Sequence, residues 1–451
     1  MSKALPGSSA PRCVYVCAGA RVTATAVRQA HQLASACAAR GHSVSLLLEP
    51  GAIGQIRTVQ IQPTENLTVQ VIDGPRRAHW YFCAEQADAD RVFDTLTRRG
   101  WPRRAASIFF VDCAEAALTT LRARRFLGTF RDAGVTIVDG KATRAALVSD
   151  PGTLPDVYRR WAVRYVLGQA DAVCAEIISP AHPRPPAPGP AESERKTSVS
   201  VVIPLFNQGR YLSEAVASAL SQGVPHLQVV VVNDGSTDPE TNRVFDTLQG
   251  ITKVAHEHQG LSAARNAGIR HSSGDYIVPL DADDLVAPGF LASARAALDR
   301  HPDIAYLAGY ARYTGLLNHT YVPAGFIPEL SLFLHTDGKV AGMYRKAALE
   351  QVGGYDEDFP AFEDWDVQVA LHRAGFQTDI IPCPGQIYRR HAESMSFTTS
   401  NAIRDQLVQQ LLRKHAAMLS AEELRTALLV LTHFWKNAYE PSTSVSLQAY
   451  R

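Results

Sequence analysis

The sequence predicts an α/β protein made of two Rossmann-like α/β domains in tandem, followed by a C-terminal helical extension. Three observations predict it. Apolar strand-like runs alternate with helical segments; a proline-rich stretch interrupts the alternation, which then restarts; and the final stretch, 401–451, keeps only the helical pattern. A chain of 451 residues also exceeds the roughly 100–200 residues of one ordinary domain.

Residues 1–11 read as a flexible N-terminus. The first α/β domain, 12–178, opens on the strand Cys13–Ala18 (CVYVCA). The alanine-rich stretch Val22–Arg40 is helical, Gly41 stops it, and Ser43–Glu49 is the next strand. Apolar runs at Ser107–Val111 and Val135–Val138 alternate with helical segments such as Asp156–Leu167. Residues 179–197 form a semi-extended linker: the stretch Ser179–Ser198 holds six prolines and no large apolar residue.

The second α/β domain, 198–400, starts with the buried strand Ser198–Pro204. Tyr211, Leu212, Ala215, Val216, Ala219 and Leu220 then recur at helical spacing. Leu227–Val232 is a strand, a helix begins near Asp238, Thr252–His256 is a strand, a helix follows Gly260, and Tyr276–Leu280 is a strand. Residues Tyr306–Lys339 read as variable specificity loops. In 401–451, Ser420 and Glu423 have the spacing of a capping box before LRTALLVL.

Composition excludes several classes. The chain is 46% hydrophobic, 20% charged and 8% aromatic, with a net charge of +1. That balance argues against nucleic acid as a partner, since neither a polybasic arm nor an acidic tail is present. The halves differ: residues 1–195 carry 24 Lys/Arg and 17 Asp/Glu (+7), and the remainder 21 and 27 (−6). No apolar run approaches the ~18 residues of a membrane span, and MSKALPGSSAPR lacks a signal-peptide core. The expected location is the cytoplasm, with peripheral contact at the inner face of a membrane compatible with it. Seven scattered cysteines without a CxxC pair read as buried thiols.

In open α/β sheets ligands bind beyond the carboxyl ends of the strands. Three polar clusters fall there: Pro204-Leu205-Phe206-Asn207, Asn233-Asp234-Gly235-Ser236-Thr237-Asp238, and Asp281-Ala282-Asp283-Asp284. The second is equally a turn and helix cap. The third packs three carboxylates into four residues, either as a solvated acidic turn or as a site for a hard divalent cation such as Mg2+ or Mn2+. Glu363-Asp364-Trp365-Asp366 opens a helical stretch, where acids suit the macrodipole in any case. Gly260 and Gly268 bracket a helix start whose N–H groups favour phosphates, with Arg265 adding a fixed charge.

Six stretches, VSVVIPLFN, VVVVNDGSTD, GLSAARNAGI, GDYIVPLDADD, VGGYDEDFPAFEDWD and YRRHAESMS, occur in the order and at the spacing of family 2 glycosyltransferases. Residues 198–400 resemble that family and its GT-A fold, a nucleotide-sugar-binding domain. The resemblance implies a nucleotide-diphosphate sugar donor, a divalent metal (Mn2+ or Mg2+) and inverting transfer by direct displacement. It implies Asp281, Asp283 and His391 as metal ligands, and Pro204, Asn207, Asp234, Arg265, Asn266, Asp281 and Asp284 on the donor. It implies Asp364 as catalytic base, required in its ionised form, with Glu363, Trp365 and Asp366 positioning that base or the acceptor.

Residues 12–178, from the helix running into Arg40-Gly41-His42 to Tyr158–Val173, resemble the N-terminal half of GT-B glycosyltransferases. That resemblance implies an accessory recognition or scaffolding domain. The alternative function is a non-catalytic nucleotide-sugar or glycan-binding protein that keeps the fold. A nucleotidyltransferase would want a glycine-rich basic loop where Pro204–Asn207 stands, and a processive synthase would want membrane spans and a QxxRW motif. The sequence names neither the donor sugar nor the acceptor, whether glycan, lipid-linked or protein.

Overall fold

The computed structural model describes residues 13–18, 24–48, 63–72, 79–80, 84–98, 107–130, 133–138, 143, 153–174, 197–336, 342–391, 404–415 and scattered positions from 417 to 429. The expected N-terminus (1–11), nearly all of the expected linker, Glu423 of the expected capping box and residues 337–339 lie outside them. The described residues fall into two compact units, one before residue 190 and one from it onward, with 78–82 and 151–154 counted in the second.

The first unit is a six-stranded parallel sheet. Its strands are β1 (Cys13–Ala18), β2 (Ser43–Leu48), β3 (Leu67–Val71), β5 (Ser107–Val111), β6 (Gly134–Val138) and β7 (Ala172–Cys174), in the order β3-β2-β1-β5-β6-β7. Helix α1 (Ala24–Ala38) covers β1 and β2 because Ala26, Val27, Ala30, Leu33, Ala34 and Cys37 fall on one face. They pack with Val14, Val16, Leu46 and Leu48 in one cluster. Part of the basic excess is internal: Arg124 pairs with Asp171 at 2.5 Å, Arg159 with Glu115 at 3.1 Å, and Arg122 stands 5.4 Å from the rings of Trp161 and Tyr165. Cys17, Cys37 and Cys113 are buried thiols, as expected of the scattered cysteines, and Cys383 is a half-buried one.

In the second unit the parallel strands β8 (Val199–Leu205), β9 (Leu227–Asp234), β10 (Thr252–His256) and β11 (Tyr276–Pro279) lie in the order β10-β9-β8-β11. The order reverses beside β8, so its carboxyl end and that of β11 flank the crevice where ligands bind in such sheets. Pro204 sits near the end of β8, opposite Val232, past the last residue paired with β11, so its missing N–H leaves no gap in that ladder. Helices α5 (Gly209–Leu220), α6 (Pro239–Thr247), α7 (Leu261–Arg270) and α8 (Phe290–Arg300) connect and flank these strands.

Beyond β11 the sheet continues with antiparallel β15 (Gly342–Arg345), then β13 (Ile304–Gly315), which pairs with β14 (Thr320–Tyr321) and with β16 (Gln377–Arg390). The two-residue β12 (Leu285–Val286) pairs with β16, and β4 (His79–Trp80) pairs with β14; in chain order the further α-helices among the described residues are α2 (Ala84–Arg98), α3 (Leu118–Arg122), α4 (Leu154–Gln169) and α9 (Pro328–Ser331). The specificity-loop expectation for Tyr306–Lys339 is therefore corrected at its start. Ile304–Gly315 is a twelve-residue strand, held because Ile304, Tyr306, Ala308 and their neighbours are buried against β15 and β16.

Val202, Ile269, Ile277, Tyr306, Tyr344, Leu349, Val367 and Ile380 form one cluster, which packs α7, α10 (Lys346–Gln351) and α11 (Glu363–Arg373) onto β8, β11, β13, β15 and β16. Each fully buried aliphatic side chain contributes about 1.5–3 kcal/mol. Helix α7 approaches β8 tightly at Gly268, where an added Cβ would lie 2.2 Å from Val202 Cγ1. Gly268→Ala should destabilise the fold by about 1–3 kcal/mol through overpacking, although alanine favours a helix by about 1 kcal/mol. A urea midpoint at or above that of the parent would contradict this account.

Candidate active site

Two loops at the carboxyl ends of β8 and β9 are stitched by one residue. Asn207, in the left-handed region at φ 55°, accepts N–H bonds from Thr237 (2.8 Å) and Asp238 (2.9 Å) and donates to the Thr237 hydroxyl at 3.1 Å. Asp234 is buried, and its carboxylate accepts from the backbone N–H of Gln259 at 2.8 Å and Gly260 at 3.0 Å. His258 Nδ1 lies 2.9 Å from it and His256 Nδ1 3.3 Å. Asp234 thus ties β9 to the loop that leads into α7. The rings of Phe206 and His258 stack 4.2 Å apart at this edge. This exposed aromatic pair was not singled out in the sequence, where its members are 52 positions apart.

The acid cluster follows β11. Asp281, Asp283 and Asp284 each place a carboxylate oxygen within 4.8 Å of the other two. Asp284 faces inward: it accepts from Gln386 and, at 2.8 Å, from the backbone N–H of Arg389. Burial, reinforced by the charges of Asp283 and Asp281, pushes its carboxyl well above the ordinary range. Asp283 is met by His391 Nε2 at 2.9 Å and by Gln208 at 3.4 Å. Tyr211 leans on His391 with ring centroids 5.3 Å apart, so β16 and α5 together aim this imidazole at the cluster.

Arg265, expected to add a fixed charge on the donor side, is 1% exposed and reaches from α7 to two acids. One guanidinium nitrogen donates to Asp281 at 2.6 Å and the other to Glu363, while the plane stands 5.2 Å from the Tyr355 ring. Desolvation raises the Asp281 carboxyl above its usual value, an effect the Arg265 charge opposes and the Asp283 and Asp364 charges reinforce. For Glu363 the balance of burial against Arg265 leaves its pKa raised to about 7.

Helix α11 starts after Phe362, whose φ of 62° turns the chain sharply before three acids in the first turn. Successive side chains on a helix point about 100° apart, so these residues diverge. Glu363 meets Arg265, and buried Asp364 accepts at 2.9 Å from the backbone N–H of Trp365. Trp365 and Asp366 point elsewhere. Trp365 is buried with Phe326, Phe333, Leu407 and Leu411 and donates its ring N–H to the Ser331 carbonyl. Asp366 meets His415 at 2.6 Å and Lys414 at 2.8 Å. Asn266 also lies off the acid cluster: it donates to the Tyr355 carbonyl (2.8 Å) and Glu357 (3.0 Å) and accepts from Tyr355 N–H (2.9 Å).

Of the residues singled out in the sequence, Asp281, Asp283, Asp284, His391, Arg265 and Glu363 form one connected set, and the charge of Asp364 acts on Asp281, Arg265 and Glu363. Pro204, Asn207 and Asp234 frame the neighbouring strand ends, while Asn266, Trp365 and Asp366 support the surrounding elements.

Residues 200–349 match the family model for glycosyl transferase family 2. Glycosyltransferase GlyA of Streptococcus pneumoniae is 35% identical over 96 residues, 21% of this chain and 14% of that protein. An uncharacterized glycosyltransferase of Rickettsia conorii is 29% identical over 192 residues, 39% of this chain and 32% of that protein. The chain thus spans about a third or less of the length of these relatives. Staphylococcus aureus TarS 1–349 in complex with UDP-GlcNAc is 19% identical, with a TM-score of 0.43, over 53% of this chain and 73% of that one.

Proposed function

We propose that the chain is a metal-dependent, inverting glycosyltransferase, a reading supported by the match of residues 200–349 to the glycosyl transferase family 2 model. It moves a sugar from a nucleotide-diphosphate sugar to an acceptor hydroxyl, in the synthesis of a glycan or glycoconjugate. One observation carries this reading: a single buried guanidinium, Arg265, joins the acid cluster after β11 to the acids that open α11. A diphosphate-binding end and a proton-accepting end are thereby held in fixed relation.

Asp281, Asp283 and His391 are the side chains that would hold Mn2+ or Mg2+, and the close-set oxygens with one imidazole fit such an ion. When bound, the ion offsets the charge of the nucleoside diphosphate leaving group. Asn207 and the Asp234 loop frame the nucleotide end of the crevice, and Arg265 fixes Asp281 toward it. Asp364 accepts the acceptor's proton as its oxygen attacks the anomeric carbon from the face opposite the leaving group, which inverts the configuration. Residues 12–178 serve as an accessory domain. The setting is the cytoplasmic side, and the acceptor is a glycan, lipid-linked or protein hydroxyl.

The test is a panel of nucleotide sugars incubated with Mn2+ or Mg2+, read by nucleoside diphosphate release and by the anomeric configuration of the product. Asp283→Ala should abolish transfer and metal-dependent nucleotide binding together. Undiminished turnover in that variant would remove Asp283 from the site. Failure of the parent to release nucleotide from any donor would favour the non-catalytic binding reading.

A further inference from the structure

We infer that helix α12 (Arg404–His415) is part of the catalytic apparatus, with Lys414 and His415 as positioning residues that set the entry of α11 and hence Asp364. This rests on the transferase reading above and deepens it. The helix lies outside the stretch matched by the family model, which ends at 349.

Leu407, Leu411 and His415 are spaced by four, so they share one face of α12. The two leucines enter the cluster around Trp365, Phe359 and Phe326, and His415, 0% exposed, continues the same stripe. A buried imidazole on an apolar stripe needs partners. His415 Nε2 meets Asp366 Oδ1 at 2.6 Å, and Arg373 Nη1 lies 3.4 Å from Nδ1. Arginine only donates, so Nδ1 accepts and Nε2 carries the hydrogen that goes to Asp366. Arg373 also donates to the Lys414 carbonyl at 2.9 Å.

Lys414 extends the connection to the loop before α11. Its ammonium donates to Asp366 at 2.8 Å and to Asp356 at 2.5 Å, and Gln410 donates to the Asp358 carbonyl at 3.2 Å. On its other side the same loop is pinned by Asn266 through Tyr355 and Glu357, and Tyr355 lies against Arg265. The segment 354–366 is therefore clamped between α7 and α12. Asp364 sits two residues from Asp366, on a turn that begins with a left-handed Phe362. Loss of the α12 side leaves the turn held by α7 and by Trp365, which packs with Phe326 and Phe333 and donates to the Ser331 carbonyl.

The experiment uses the full chain and three variants: Lys414→Met, His415→Leu and His415→Gln. Lys414→Met removes the bridging charge from a side chain 34% exposed, which the fold should tolerate. Hydrogen exchange of 354–366 should speed by roughly tenfold in Lys414→Met, with β8–β11 unchanged. Transfer kcat should fall by about 10- to 100-fold, while donor KM and binding of UDP or GDP with Mn2+ stay within about twofold. His415→Leu should behave likewise, and His415→Gln, which still donates to Asp366, should recover most of kcat. Unchanged exchange at 354–366, or equal losses in kcat and Mn2+–nucleotide affinity, would overturn the inference. If the parent transfers no sugar at all, the transferase reading fails while the exchange result still decides whether α12 holds this turn.

Discussion

Replacing Asp364 by asparagine should leave nucleotide and metal binding intact and slow sugar transfer by about 10²- to 10⁴-fold. Asparagine keeps the size of the side chain and can still accept from the Trp365 N–H, the bond Asp364 makes at 2.9 Å. What it loses is the basic oxygen. An acceptor hydroxyl is a poor nucleophile until its proton is taken up, so the loss falls on kcat. Titration with Mn2+ and the nucleoside diphosphate product, set beside single-turnover rates, separates the two effects. A matching fall in donor affinity would assign Asp364 to the donor and not to the base.

Arg265→Met should cost about 3–5 kcal/mol of stability, the penalty for leaving the buried Glu363 carboxylate and the half-buried Asp281 without their cation. The side chain is 1% exposed, and its two partners come from different elements. The deficit should depend on pH, and its sign follows from Glu363. Burial already raises the Glu363 pKa to about 7 from its ordinary value of 4.5, with Arg265 acting in the opposite direction. Between those values the folded protein holds a proton that the unfolded chain releases, so stability falls as pH rises through the window. Removing the cation extends the window upward. Arg265→Met should therefore be less destabilised at pH 5.5 than at pH 8 in urea titrations, and adding Glu363→Gln should recover part of the loss. Equal deficits at both values would show that the carboxyl is not the source.

Much of this architecture is legible in the chain because the parallel strands announce themselves. VSVVIPL and LQVVVVND are β-branched runs, and Asp238 caps α6 through its bond to Thr241 N–H at 2.9 Å, as its position before Pro239 suggests. The antiparallel half is hidden for identifiable reasons. β16 contains Pro382, Pro384 and Gly385, which read as loop, yet it pairs with β13 through register irregularities. Gly309 and Gly385 permit the close approach there, since a Cβ on Gly309 would lie 2.6 Å from Gly385 Cα.

The candidate site divides along the same line. The acids after β11 are local in sequence, and their clustering is a local property. Arg265 reads as a fixed cation near the phosphates, but its two partners, 16 and 98 residues away, cannot be seen from its helix alone. Asp366 reads as a residue that positions the base or the acceptor, but its partners Lys414 and His415, 48 and 49 residues on, cannot be seen from α11 alone. Helical phase gives the direction of each side chain on α11, about 100° per residue, but not the partner it meets.

The pairing of Asp366 with α12 also sets how short a working version of this unit can be. A fragment cut to the 200–349 match would omit Asp364 and His391 altogether. One cut just after β16 would retain both but strand the Asp366 carboxylate, 1% exposed, with neither its imidazole nor its ammonium, and would open the apolar bed of Trp365 to water. Excision for crystallisation, domain exchange or fusion therefore has to run through His415, and the natural seam of this protein lies beyond the last strand of its sheet.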